Sequence, residues 1–140
     1  MLIYPKEIIE KTGAWFLDDV RAKEWLLKNN YEEMVELKDA IGRYPKAFEF
    51  LLVNKHVVLA AFVNAVWDDK QAFKILMEKK EFHWAAMANL INGDTNARIF
   101  LEKNNLRHYA ELALKIQERI RKDGDKGTSI FNSGPFKLEK

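Results

Sequence analysis

The chain has 140 residues, of which 48% are hydrophobic and 31% charged, with no cysteine and a net charge of +2. That length predicts one domain, able to bury roughly 68% of its unfolded surface without disulfide or metal staples. The missing cysteines exclude disulfides, thiolate zinc sites, iron–sulfur clusters and cysteine nucleophiles, and no apolar run approaches the ~18 residues of a membrane span.

The opening Met1–Glu10 does not read as a secretory leader, because Pro5, Lys6 and Glu7 interrupt its apolar run and no basic start precedes it. A cytoplasmic setting is the default expectation. Residues 6–18 read instead as a lone capping helix, with Gly13 its weak point. The reason is a period of 25 residues that governs everything downstream. Ile9 falls one period before Met34 and Phe16 one before Ile41, while Asp18-Asp19 anticipates Asp68-Asp69.

Four units follow, at 19–44, 45–68, 69–93 and 94–120. Ala22, Ala47, Ala72 and Ala97 open the pattern. Trp25, Phe50, Ile75 and Phe100 come three residues later, and Leu26, Leu51, Leu76 and Leu101 come next. Spacings of i, i+3 and i+4 place these on one face of a helix. The second half of each unit carries Met34, Leu59, Trp84 and Tyr109, then Leu37, Phe62, Met87 and Leu112, then Ile41, Val66, Ile91 and Ile116. The small column Val35, Ala60, Ala85, Ala110 predicts close helix approach. Asn29-Asn30, Asn54-Lys55, Lys79-Lys80 and Asn104-Asn105 read as turns within each hairpin, since asparagine tolerates the left-handed conformation that ends a helix. Asp19, Asp69 and Asp94 are expected N-caps, and Pro45 suits a first helical position.

After Ile120 the run Arg121–Ser129 loses periodicity and gathers turn formers, so residues 122–140 are expected to form a flexible tail. Its Ile130, Phe131 and Phe136 would either fold back over the last unit or dock on a partner. The expected architecture is all-α: a short α-solenoid, a right-handed superhelix of four helical hairpins behind an N-terminal cap.

Chemistry-bearing patterns are sparse. His83 and His108 are in register and His56 lies near the start of an earlier helix, but no third metal ligand accompanies them at matching spacing. Acidic pairs at helix starts are accounted for by the helix dipole. No phosphate loop or nucleophile elbow occurs, so neither cofactor nor catalysis is expected. Trp25 and Trp84 fall in core columns, and Trp15 is placed over the end of the capping helix. Asn64 and Asn89 share a column and either hydrogen-bond between units or grip a peptide backbone. Trp67 stands where other units have Gly42, Asn92 and Gln117, and reads equally as an interface anchor or as local packing.

The first functional expectation is therefore a non-catalytic interaction or scaffold module that binds a protein or peptide along Asn64, Trp67, Asn89 and Asn92. The second rests on charge: residues 97–140 carry net +4 against −2 for residues 1–96. Arg107, Lys115, Arg119, Arg121 and Lys122 would then meet nucleic acid, although the interleaved Glu111, Glu118, Asp123 and Asp125 equally fit a solvated helix face. A third expectation is a ligand-binding protein or enzyme using His83 and His108. Self-association through the exposed end unit is a further expectation.

Overall fold

A computed structural model of the protein describes residues 1–125. Among these are nine α-helices and no β-strand: α1 (Lys6–Phe16), α2 (Val20–Lys28), α3 (Glu32–Ile41), α4 (Pro45–Val53), α5 (Val57–Val66), α6 (Lys70–Glu78), α7 (Phe82–Ile91), α8 (Asn96–Lys103) and α9 (Arg107–Asp125). No helix among the described residues is long and apolar enough to cross a membrane.

Two kinds of turn alternate, and each has a sequence cause. In the first, Asn30, Lys55, Lys80 and Asn105 take φ between 60° and 68°. The chain reverses there, so the N–H groups of Tyr31, His56, Glu81 and Leu106 donate back to the carbonyls of Leu26, Leu51, Leu76 and Leu101 at 2.7–2.8 Å. These are Schellman closures, which satisfy carbonyls a helix end would otherwise leave unpaired. The amides of Asn29, Asn54 and Asn104 donate to the carbonyls of Trp25, Phe50 and Phe100.

In the second kind, Asp18, Arg43, Asp68 and Gly93 take φ between 66° and 104°. The N–H groups of Asp19, Tyr44, Asp69 and Asp94 close on the carbonyls of Ala14, Asp39, Asn64 and Asn89. The next helices start as the sequence predicts, except that α8 takes Thr95 and not Asp94 as its N-cap residue. Asp19 and Asp69 cap α2 and α6 through Arg21 and Gln71 N–H, Asp94 accepts from Asn96 N–H, and Pro45 is the first residue of α4.

Lysine at a left-handed position is strained by about 1–2 kcal/mol, whereas glycine is not, though glycine gives back about 0.5–1 kcal/mol in chain entropy. Replacing Lys55 and Lys80, both solvent-exposed, is therefore expected to stabilise. Lys55→Gly and Lys80→Gly should each add about 0.5–1 kcal/mol. Thermal unfolding followed by circular dichroism checks the sign, and an unchanged or lower midpoint would count against the turn assignment.

The leucines 26, 51, 76 and 101 are all fully buried, as are Met34, Leu59, Trp84 and Tyr109. Leu37, Phe62, Met87 and Leu112 complete the same core with Ile41, Val66 and Ile116. The small column Val35, Ala60, Ala85 and Ala110 is likewise inside. One column departs from expectation. Trp25, Phe50 and Ile75 are only half-buried and Phe100 is exposed. They precede the buried leucines by one residue, about 100° around a helix, and so sit at the rim of the packed face. Trp25 instead carries the Lys11 ammonium 5.3 Å above its ring.

The odd-numbered helices α1, α3, α5, α7 and α9 each pack on the next, with α2, α4, α6 and α8 against their flanks. The circuit closes, because α9 packs on α1. A superhelix open at both ends would keep its first and last helices apart, so the expectation of an open superhelix with an exposed end flank is corrected here. Gly13 is not a weak point but a place of close approach. A Cβ added there would lie 2.9 Å from Lys115 Cδ and 3.7 Å from Leu112 Cδ1.

A charged clasp sits at the same seam. The Asp18 carboxylate accepts from Lys38 Nζ and Arg119 Nη1, both at 2.7 Å, and Lys122 Nζ stands 3.9 Å away. Arg119 also pairs with Asp123 at 3.1 Å and donates to the Phe16 carbonyl at 3.4 Å. Hydrogen bonds from Lys38 and then Arg119 pull the Asp18 carboxyl down to about 2. A depressed carboxylate supports the fold above its ordinary range, and the support fades as pH falls toward that value.

The helix α9 continues through Lys122, Asp123 and Gly124 to Asp125, so the first residues assigned to a tail are helical. The rest of the expected tail, with Ile130, Phe131 and Phe136, lies outside the described residues.

Candidate functional site: a cradle for an extended segment

Of the residues singled out in the sequence as a partner-binding row, Trp67 and Asn92 hydrogen-bond within the fold. The Trp67 indole Nε1 donates to the Ile41 carbonyl at 3.1 Å. One period later Asn92 Nδ2 donates to Ala65 O at 3.1 Å, and after another period Gln117 Nε2 donates to Ile91 O at 3.0 Å. Each reaches back about 26 residues to satisfy the end of the preceding odd-numbered helix. Asn64 is fully buried and Asn89 half-buried. Trp15 lies outside this ladder and donates forward to Val35 O, within α3, at 3.2 Å. The structure thus places Trp67 and Asn92 in an internal ladder, and Trp67 is half-buried with the Arg43 guanidinium 5.3 Å from its ring.

The basic residues are dispersed. Arg107 pairs with Glu111 at 3.4 Å, Arg119 and Lys122 belong to the Asp18 clasp, Lys115 lies against Gly13, and Arg121 is exposed. Alternating charges along α9 are thereby matched mainly by carboxylates one turn away or across the seam.

Convergent polar chemistry occurs elsewhere, at the first turns of α3, α7 and α9. There the five residues preceding α1 run, outside any helix, across the helix ends. The Leu2 N–H donates to both oxygens of Glu81, at 2.8 and 3.0 Å. The Leu2 carbonyl accepts from His83 Nε2 at 2.6 Å and from Trp84 Nε1 at 2.9 Å. The Tyr4 N–H donates to the Tyr109 hydroxyl at 2.9 Å, and the Tyr4 hydroxyl donates to Glu33 Oε2 at 2.8 Å. Backbone groups of alternate residues are therefore held by side chains from two helices, while a third helix reads the Tyr4 side chain.

Local sequence explains the placement. Glu81 is the N-cap residue of α7, with His83 and Trp84 in its first turn. Tyr109 occupies the first turn of α9, and Glu33 that of α3. Glu81 and His83 are both nearly fully buried, a costly state for polar groups unless hydrogen-bonded. The Leu2 amide provides that partner on both sides. Because a carbonyl only accepts, His83 Nε2 must carry a hydrogen. Burial lowers the His83 pKa, against the opposing pull of the Leu2 carbonyl and Glu81, which favours the neutral ring.

Aromatic rings wall the Tyr4 position. Tyr31 and Trp84 meet the Tyr4 ring edge-on, at centroid distances of 6.0 and 6.4 Å. Trp84 also meets Phe62 and Tyr109 edge-on at 5.1 and 5.6 Å. Burial, and then the Glu33 carboxylate, push the Tyr4 hydroxyl pKa well up, so the phenol stays protonated and remains a donor.

Periodicity could not find this site, because residues 1–5 belong to no column. A different signal was present. Trp84 and Tyr109 stand in a column filled elsewhere by Met34 and Leu59, and an indole N–H or phenol O–H in a core needs a partner. His83, in register with His108 in the sequence, is inside, and its ring Nε2 is taken by the Leu2 carbonyl. Among the described residues no group of three or more His, Asp or Glu side chains is arranged to hold a metal ion. No protein-family model, curated protein or solved structure matches the chain.

Proposed function

We propose that the chain is a non-catalytic interaction module, four 25-residue helical hairpins and a capping helix closed into a circuit, that binds an extended segment of a partner protein. The proposed binding surface is the cradle formed by Glu33, Glu81, His83, Trp84 and Tyr109, rather than the row through Asn64 and Trp67. One observation carries the reading: Glu81 takes the N–H of Leu2 while His83 and Trp84 take its C=O. Holding both polar groups of one residue in an extended chain is how a protein recognises a peptide largely through its main chain. The carboxylate makes the N–H contact charge-assisted, among the stronger hydrogen bonds available.

The test is a random-peptide display selection on the full chain carrying Tyr4→Ala, which loosens the resident segment and leaves the cradle side chains in place. Enriched peptides are expected to lose about tenfold or more in affinity when Glu81→Leu is added, because a charge-assisted hydrogen bond is removed. Selection that enriches nothing beyond what the Glu81→Leu chain enriches would remove the reading.

A further inference from the structure

We infer that the cradle selects segments of the pattern leucine (or a similar aliphatic), any residue, tyrosine, with the tyrosine unphosphorylated, and that the protein's own residues 2–4 are an intramolecular competitor for that site. The inference rests on the peptide-binding reading above and adds the chemistry of the partner.

Each position of the pattern follows from what surrounds the resident segment. Leu2 is half-buried against the core, so an aliphatic side chain fits there. Ile3 is 51% exposed and makes no demand on its side chain. Tyr4 is 7% exposed, its ring between Tyr31 and Trp84 and its hydroxyl on Glu33. Phenylalanine would leave the part-buried Glu33 carboxylate without its donor, which is costlier than losing a neutral hydrogen bond. A phosphate ester would bring about two negative charges against Glu33 and would be rejected. Only a neutral phenol satisfies both the ring walls and the carboxylate.

The segment is also built to exchange. Its backbone N–H and C=O groups at Leu2 and the N–H of Tyr4 bond to side chains of the cradle and not to a helix or sheet ladder, and it joins α1 through Pro5 at φ −57° and ψ 152°. The Pro5 ring fixes its φ and the Pro5 carbonyl accepts from Ile8 and Ile9 N–H, so the turn that frees residues 1–4 and leaves α1 intact is about Tyr4 ψ. A tether this short gives the resident segment an effective concentration on the order of millimolar, which an incoming segment must overcome. Loosening it therefore strengthens partner binding without changing the cradle.

The experiment titrates a fluorescent peptide containing Leu-Ile-Tyr-Pro between glycines, read by anisotropy, into the unmutated full chain and into chains carrying Tyr4→Ala or Leu2→Gly. The second variant covers the case that the first folds poorly, and far-ultraviolet circular dichroism reports the fold of both. Saturable 1:1 binding is expected for the loosened chains, at least tenfold tighter than for the unmutated chain. Exchanging the peptide tyrosine for phenylalanine should weaken binding about tenfold, as expected for a hydrogen bond to a charged group, and phosphotyrosine should abolish it. Glu33→Gln should shrink the tyrosine preference. Equal binding of peptides with alanine in place of tyrosine would overturn the inference while leaving main-chain recognition standing. Failure of every peptide on every folded variant would overturn both. Formation of a dimer by the unmutated chain in sedimentation, blocked by Glu81→Leu, would give the cradle to a second copy and overturn the partner assignment.

Discussion

Trp84→Ala is expected to lower the unfolding free energy by about 3–5 kcal/mol, the range for removing a fully buried aromatic. The side chain is completely inside and meets Phe62, Tyr4, His83 and Tyr109. Truncation leaves a cavity among rings that other helices hold in place, and little can move to fill it. It also removes the indole N–H from the Leu2 carbonyl. A domain of this size has about 5–15 kcal/mol in total, so the variant should sit near the edge of folding. Urea titration followed by helical circular dichroism measures the loss. Trp84→Phe, which keeps a ring and loses the donor, should cost clearly less. A loss below about 1 kcal/mol for alanine would mean that the ring cluster does not hold the first turns of α3, α7 and α9 together, since deletions at a rigid core exceed that value.

Gly13→Leu separates a closed circuit of helices from an open stack by the sign of its effect. In the interior of an isolated helix, leucine is better than glycine by about 0.8–1 kcal/mol. At this position even one added carbon lies 2.9 Å from Lys115 Cδ and 3.7 Å from Leu112 Cδ1. The lysine chain can swing aside, but Leu112 is buried and has no such freedom. Overpacking of a filled interface costs about 1–3 kcal/mol. The expected net result is a loss of about 1–2 kcal/mol, with the overpacking outweighing the propensity. Stabilisation instead, measured in the same urea assay, would mean that α1 and α9 stand apart in solution. Gly13→Ala combined with Lys115→Ala is the control, because it gains propensity and relieves the nearest contact.

The parts of the fold that were legible in the sequence are those fixed within one hairpin. Leu26, Leu51, Leu76 and Leu101 are fully buried, because a strict period puts the same helix face inward each time. Asn30 and Asn105 take the left-handed turn, as an asparagine at a helix end allows. Asp19 and Asp69 cap the helices that they precede. What escaped was fixed between distant elements. The rotation from one hairpin to the next is set by side-chain shape at each contact, not by the period, so the meeting of α1 with α9 was invisible. Gly13 carried the only hint, and out of context it reads as a helix defect. Trp67 and Asn92 were identified as one column, yet whether such a column faces a partner or the preceding helix depends on helix orientation. The run after Ile120 has turn formers, but Arg119 pairs with Asp123 one turn on and the helix carries through. The cradle was the largest omission, since an extended segment of five residues has no period to detect.

The junction of α1 with α9 has a consequence for how the chain reaches its native state. Arg119 and the Phe16 carbonyl that it contacts are 103 residues apart, and Tyr4 and the Tyr109 hydroxyl 105, so the closure of the N-terminal residues on α9 is the most non-local part of the fold. During synthesis at about 5–20 residues per second, α1 emerges first and its partner last, leaving the apolar side of α1 without its cover for several seconds. The seam therefore cannot close until the residues of α9 have left the ribosome.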